Sequence, residues 1–160
     1  MTGYGSAVVI TCSTRAARGV YPDRSGPIIV AALRGWGLAV GDALVVADGP
    51  DVEAALRTAI SGGAALVVTT GGTGLTPSDG TPEATQRVVD RLVPGIAEAI
   101  RSAGVDAGVS SAVLSRGISG VAGRTLIVNL PGSMGGVSNG LAVLEPVVRH
   151  ALAQIQGDDH

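Results

Sequence analysis

Asp79 stands in the stretch "TTGGTGLTPSDGTPEAT" (69–85), which follows the apolar run "AALVV". Gly71, Gly72 and Gly74 let backbone amides approach an anion closely, and Thr73 and Ser78 add hydroxyl donors. A second carboxylate, Asp48 in "VADGPD", follows another apolar run, "ALVVA". Taken alone each feature has an ordinary reading: GGTG as a turn, Asp79 as a turn or cap residue, Asp48 as the cap of a helix. Together, two carboxylates facing one cleft rich in hydroxyls and amides suit a Mg²⁺ ion shared with substrate phosphates. The chemistry expected of such a cleft is phosphoryl or nucleotidyl transfer, where positioning and charge stabilisation carry most of the catalysis.

Composition removes the competitors. All eleven basic residues are Arg, so the GxxxxGK[ST] phosphate loop is absent, and anion binding must rest on backbone N–H groups, hydroxyls and Arg. A formal charge of −2 argues against a broad nucleic-acid surface. Cys12 is the only cysteine, which rules out an intrachain disulfide or a thiolate zinc site, and its place in "SAVVITC" reads as a buried inert thiol. His150 and His160 lie at the C-terminal end, away from the polar loops, so a His-based triad is not expected. With no signal peptide and no apolar run of spanning length, the expectation is a cytoplasmic protein without membrane or nucleic-acid partners.

These groups need a frame, and the chain alternates short β-branched runs with longer helical ones, the α/β signature. Apolar residues make up 46% with no Phe, so Val, Leu, Ile and Ala must build a sheet buried on both faces. Strands are expected at 6–12, 43–47 and 64–70, with two more in "GISGVAGRTLIVNL" joined near Ala122 and Gly123. Ser25 is expected to cap a helix with Pro27 in its first turn, and Asp48 or Asp51 to start "VEAALRTAI". Thr81 is expected as the cap of "PEATQRVVDRL", which puts Ala84, Val88 and Leu92 on one face. "GIAEAIRSAG" follows Pro94, two helical pieces broken before Pro146 close the chain, and 157–160 reads as a frayed tail. The strand ends "STR", "DGPD", "GGTGLTPSDG" and "PGS" then converge on one edge of a parallel core, where open α/β sheets bind ligands.

"LVVTTGGTGLTPSDGTPEAT", with "VPGIAEAIR", "LSRGISGVAGRTLIVNLPGS" and the opening "CSTRAARGVYPDRSGP", resembles the Mog/MoaB family of molybdenum-cofactor biosynthesis over residues 6–153. The resemblance implies one domain over 1–160, a three-layer α/β/α sandwich around a mostly parallel sheet, and a homotrimer. It also implies molybdopterin adenylyltransferase activity, in which molybdopterin and Mg-ATP give adenylyl-molybdopterin and pyrophosphate, with a downstream molybdenum insertase as partner. A non-catalytic molybdopterin-binding or scaffold member is the alternative. The family's two functional aspartates, which hold Mg²⁺, map onto Asp79 and Asp48, with Asp51 nearby as the other choice in that loop. Its substrate-binding positions map onto Ser13, Gly71, Gly72, Thr73, Gly74, Ser78, Ser115, Asn129, Pro131, Gly132 and Ser133. Glu98 and Arg116 also match, with surface solvation and an ordinary ion pair as their plain alternatives. Two departures stand out: Thr14 where many members carry Asp, and Gly80 where Val is frequent.

Overall fold

The computed structural model describes residues 3–158. Its elements in chain order are β1 (Ser6–Cys12), α1 (Thr14–Ala17), α2 (Ser25–Gly35), β2 (Ala39–Val40), β3 (Leu44–Val46), α3 (Pro50–Ser61) and β4 (Leu66–Thr70). Then follow α4 (Thr81–Val88), β5 (Arg91–Leu92), α5 (Pro94–Asp106), a 3₁₀ segment (Ser110–Leu114), β6 (Ser119–Ala122), β7 (Thr125–Leu130) and α6 (Met134–Gln156). The strands form one sheet in the order β2-β1-β4-β7-β6-β5, with β3 also paired to β1. β1, β2, β3, β4 and β7 run parallel; β6 and β5 add an antiparallel flank.

Every residue of β4 and β7 is buried, as strands covered on both faces must be. Alternate residues serve two cores. Ala7, Val9, Leu66, Val68, Leu126 and Val128 meet Ile29 and Leu33 of α2, Ile100 of α5 and the α6 stripe Val137, Leu141, Leu144, Val148 and Leu152. Ile10, Cys12, Val67 and Ile127 meet Val52 and Leu56 of α3 and Ala84 and Val88 of α4. The result is the expected three-layer α/β/α sandwich around a mostly parallel sheet. Because β1, β3, β4 and β7 are parallel, the loops after Cys12, Val46, Thr70 and Leu130 leave from the same edge. No helix among the described residues is long and apolar enough to cross a membrane.

Several local expectations change. Ser25 is the first residue of α2 rather than its cap; the Asp23 carboxylate accepts from Gly26 N–H at 3.1 Å instead. Gly49 precedes α3 at φ 110°, and neither Asp48 nor Asp51 caps it. Gly80 takes the cap position of α4, leaving Thr81 inside the helix with no capping bond. α4 ends at Val88, because Asp90 N–H bonds Val121 C=O and the next two residues join the sheet as β5. Leu92 is therefore an exposed strand residue rather than part of a helical face. Strand pairing wins over helical periodicity there.

Pro146 does not break α6, which runs unbroken from Met134 to Gln156. Proline costs about 3 kcal/mol in a helix interior. Five buried aliphatic side chains along α6 return roughly 1.5–3 kcal/mol each. Pro146 and Ala142, whose carbonyl loses its helical partner, are both exposed, so water can satisfy that carbonyl. The start of the expected frayed tail is ordered: Gly157 adopts φ 94° and Asp158 N–H closes onto Ala153 C=O. The remainder of that tail lies outside the described residues.

Candidate functional site

Four strand ends and two glycine-rich approaches create the site. Gly71 (φ 91°) and Gly72 (φ 68°) have backbone conformations that side chains disfavour. A Cβ on Gly71 would stand 2.5 Å from the Cys12 carbonyl, and one on Gly132 would stand 3.3 Å from Gly71 Cα. The loops after β1, β4 and β7 therefore touch backbone to backbone, and two cavities open on either side of that seam. The larger, about 1010 Å³, is lined by Ser13, Thr14, Asp48 and Ser78 together with three arginines, Arg15, Arg18 and Arg24. The smaller, about 540 Å³, is more apolar and is lined by Thr73, Gly74, Leu75, Leu114, Ser115 and Pro131. Gly71, Gly72, Asp79, Gly132 and Ser133 belong to both walls. Small-molecule sites span roughly 300–1,000 Å³, so there is room for two ligands that meet at the seam.

Asp48 is held by Thr14. Thr14 N–H and Oγ1–H donate to Asp48 Oδ2 at 3.2 and 3.0 Å, and Thr14 Oγ1 accepts from Asp48 N–H at 3.1 Å. Asp48 Oδ1 is buried and has no hydrogen-bond partner. The Thr81 hydroxyl is likewise buried and meets no oxygen or nitrogen partner; it lies beside the Cys12 thiol. Both oxygens crowd the space a Cβ on Gly72 would take, Asp48 Oδ1 at 3.1 Å. A buried, unpaired carboxylate oxygen is costly and favours a cation or a donor brought by a ligand.

Asp79 is supported differently. Its Oδ2 accepts from Thr76 N–H at 3.1 Å, its own N–H bonds Thr76 C=O, and Arg116 Nη2–H donates to its carbonyl at 2.9 Å. Among the described residues no group of three or more His, Cys, Asp or Glu gathers as a metal cage. Two carboxylates, one with an unsatisfied oxygen, fit a Mg²⁺ ion that takes its other ligands from water and substrate phosphates.

Asp48 lines the cavity, whereas Asp51 is exposed in the first turn of α3 and lines neither. Ser13 caps α1 by accepting from Ala16 N–H and lies 2.9 Å from the Tyr21 hydroxyl; Ser133 caps α6 through Gly136 N–H. Ser115 Oγ accepts from Gly117 N–H on the smaller cavity. Glu98, Arg116 and Asn129 line neither cavity. Glu98 is exposed on α5. Asn129 is buried, donating to Thr69 and Thr85 Oγ1 at 3.0 Å each and accepting from Ile118 N–H at 3.1 Å, which ties β4, β7 and α4 together. Arg116 spends its guanidinium on Gly74, Asp79 and Glu83, and the Glu83 carboxylate raises it above its ordinary value.

Sequence reasoning missed Arg15, Arg18, Arg24 and Tyr21, all of which face the larger cavity. The signal was the clustering of basic residues in the one stretch that follows β1. Cys12 is an inert thiol despite bordering the cavity. Burial pushes it up to about 12, with Asp48 adding to the effect and the adjacent Thr81 hydroxyl partly opposing it.

A parallel α/β sandwich with its polar cleft at the carboxyl edge is a ligand-binding domain of the doubly wound class. A family model described as "Probable molybdopterin binding domain" matches residues 8–150. The chain belongs to the Mog/MoaB family. It is 44% identical over 155 residues to a "Molybdenum cofactor biosynthesis bifunctional protein" of Synechococcus elongatus, covering 96% of this chain and 48% of that one. The chain thus spans about half the length of that relative. It is also 34% identical over 154 residues to a "Molybdopterin adenylyltransferase" of Helicobacter pylori, covering 94% of this chain and 87% of that protein. The structure of the molybdopterin biosynthesis Mog protein from Mycobacterium ulcerans superposes with a TM-score of 0.90 at 54% identity, covering 94% and 98% of the two chains.

Proposed function

We propose that this protein, as one domain, transfers the adenylyl group of ATP to molybdopterin and releases pyrophosphate. The observation that carries the reading is the seam itself: Asp48 and Asp79 face one cavity whose glycine wall is shared with a second, more apolar one. Two substrates can meet there without either enclosing the other.

In the reaction, an oxygen of the terminal phosphate of molybdopterin forms a bond to the α-phosphorus of ATP. The bond from that phosphorus to the bridging oxygen breaks, and pyrophosphate leaves with the electron pair. The phosphate nucleophile is already ionised near neutral pH, so no side chain need act as a base. Mg²⁺ held by Asp48 and Asp79 would neutralise the charge that builds on the departing phosphates. Gly71 and Gly72 let main-chain groups approach the transferring phosphate without steric cost. Arg15, Arg18 and Arg24, with no carboxylate partner in the described structure, supply positive charge to the phosphate-bearing side of the larger cavity. Positioning and charge, rather than proton transfer, then account for the catalysis.

A cytoplasmic homotrimer is part of the same proposal. Association is supported by exposed apolar side chains outside both cavities, Leu92, Val105 and Val113, surface of a kind that a partner copy would cover. A molybdenum insertase that consumes the adenylylated product is the partner that chemistry calls for. The test is pyrophosphate release on mixing the protein with Mg-ATP and molybdopterin. Release that requires molybdopterin supports the reading. Molybdopterin binding without release would make the protein a non-catalytic binding member, and no binding at all would sink both readings.

A further inference from the structure

Residues 75–78 are all exposed, and Asp79 follows them directly. Inside this turn the bonds are self-contained: Thr76 N–H to Asp79 Oδ2, and Asp79 N–H to Thr76 C=O. They shape the turn, and Thr81 N–H closes the loop behind it on Gly72 C=O at 3.1 Å, but none of these bonds fixes residues 74–79 against the rest of the fold. The Arg116 guanidinium provides the tie from outside. Its Nε donates to Gly74 C=O at 2.9 Å, Nη2 to Asp79 C=O at 2.9 Å, and Nη1 to both Glu83 carboxylate oxygens at 3.0 and 2.7 Å. Its main-chain N–H bonds Thr73 C=O at 2.8 Å. One side chain therefore grips the turn before it, at its end and on the first turn of α4.

Arg116 is itself anchored. Arg101 on α5 donates from Nη1 to Ser115 C=O at 3.2 Å and to Gly117 C=O at 2.8 Å, fixing the chain on both sides of Arg116. The Arg116–Glu83 pair is about one-third and one-half exposed, and an ion pair so open to water adds little to stability. Global stability is a weak account of so complete a set of contacts. Direct substrate contact is also a poor account, since Arg116 lines neither cavity.

We infer that Arg116 is a positioning residue, which holds the 74–83 segment so that the Asp79 carboxylate faces the cavity it shares with Asp48, and which acts on the reaction through Asp79. This rests on the proposed function. The need is for divergent donors in a rigid fork, so Lys, a single point charge on a flexible stem, cannot replace Arg here.

The experiment compares wild type, Arg116→Gln, Arg116→Lys, Glu83→Gln and Asp79→Asn. Pyrophosphate release is titrated with Mg²⁺, Mn²⁺ binding in the presence of ATP is followed by electron paramagnetic resonance, and molybdopterin binding is followed by pterin fluorescence. Both Arg116 variants should weaken Mn²⁺ binding and raise the half-saturating Mg²⁺ at least tenfold, with molybdopterin affinity within twofold of wild type. Placing Arg116→Gln in the Asp79→Asn background should weaken Mn²⁺ no further. Glu83→Gln, a milder change that keeps the carbonyl contacts, should shift the metal requirement about threefold; it decides the matter if Arg116→Gln fails to fold. Unchanged metal dependence with tenfold weaker molybdopterin binding would make Arg116 a substrate contact and overturn the inference. So would a wild-type-like Arg116→Lys, or additive losses in the double variant. If wild type itself releases no pyrophosphate and Asp79→Asn binds Mn²⁺ as well as wild type does, it is the functional reading that fails.

Discussion

Asp48 and Asp79 meet at one cavity but are held by different parts of the molecule. Asp48 follows β3, with one carboxylate oxygen occupied by Thr14 and the other buried and unpaired beside Gly72 and Thr81. Asp79 ends an exposed turn supported by the Arg116 fork and by the Thr81 N–H to Gly72 C=O bond that closes the loop. A carboxylate bedded among strand ends cannot move toward water, so the cost of its unpaired oxygen is met by whatever enters the cavity. A carboxylate on a tethered turn can adjust to the ligand, and its placement depends on the tether. Under the proposed function, the pair would offer a divalent cation one fixed, under-solvated oxygen and one adjustable one.

Removing each charge should have the largest effect. Asp48→Asn and Asp79→Asn should each lower adenylyl transfer by about 10²–10³-fold, the loss typical of one preorganised charge-stabilising group. Their stabilities should differ. Asp48→Asn removes a partly buried, uncompensated charge and should raise the melting temperature, whereas Asp79→Asn should leave it nearly unchanged. Asp51→Asn should match wild type in both rate and melting; a loss of turnover there would mean that the wrong carboxylate has been placed in the site.

Backbone substitutions sharpen the contrast. Gly72→Val puts a branched side chain at φ 68° and drives its Cβ into Thr81 Oγ1, with Asp48 Oδ1 close behind. Denaturant unfolding should show a loss of about 3 kcal/mol, the sum of a strained backbone and overpacking. This change therefore reports mainly on folding, not on ligand approach. Gly74→Ala meets the terminal Asp79 Oδ2 at 2.8 Å, which a side chain on a turn can yield. It should cost little stability while reducing turnover. Equal stability losses at the two glycines would erase the distinction between a rigid and an adjustable corner.

Thr14→Val should cost about 1–3 kcal/mol in denaturant unfolding, because Asp48 N–H loses its acceptor and Oδ2 loses one of two donors. No measurable cost would mean that Asp48 does not depend on Thr14. The smallest effect concerns Cys12. The unfolded thiol ionises near 9 while the folded one stays protonated up to about 12, so the unfolded chain releases a proton first as pH rises. Stability should fall above pH 9, by about 1 kcal/mol at pH 10, and Cys12→Ala should remove that part of the slope. Rapid alkylation of the native protein at pH 8 would contradict the buried, inert thiol.

Much of the frame was legible in the residues. β1, β4 and β7 are short, β-branched apolar runs bounded by polar loops, as strands of a sheet buried on both faces are, and the polar loops could be placed on one edge once the strands were parallel. Asp79 and the Gly71–Gly72 pair were legible too, because a carboxylate and a positive-φ turn at a strand end are local features. The boundaries that failed depended on distant partners. Leu92 satisfies a helical spacing, yet β6 offered its segment a strand partner. Pro146 is a breaker by local rule, yet the buried stripe on α6 outweighs it. Asn129 and Arg116 look like ligand-binding polar groups in the one-dimensional chain, but tertiary neighbours consume their donors.

Residue type and hydrophobic period are local properties of the chain, so they were enough to say which groups could do chemistry and which strand ends would carry them. It took the folded chain to show that Asp48 rather than Asp51 faces the cavity, that three arginines after β1 join it, and that the Arg116 guanidinium is spent on Gly74, Asp79 and Glu83. Those outcomes turn on which buried donors and acceptors find each other, and such pairings join residues that stand more than thirty positions apart in the chain, as Thr14 and Asp48 do.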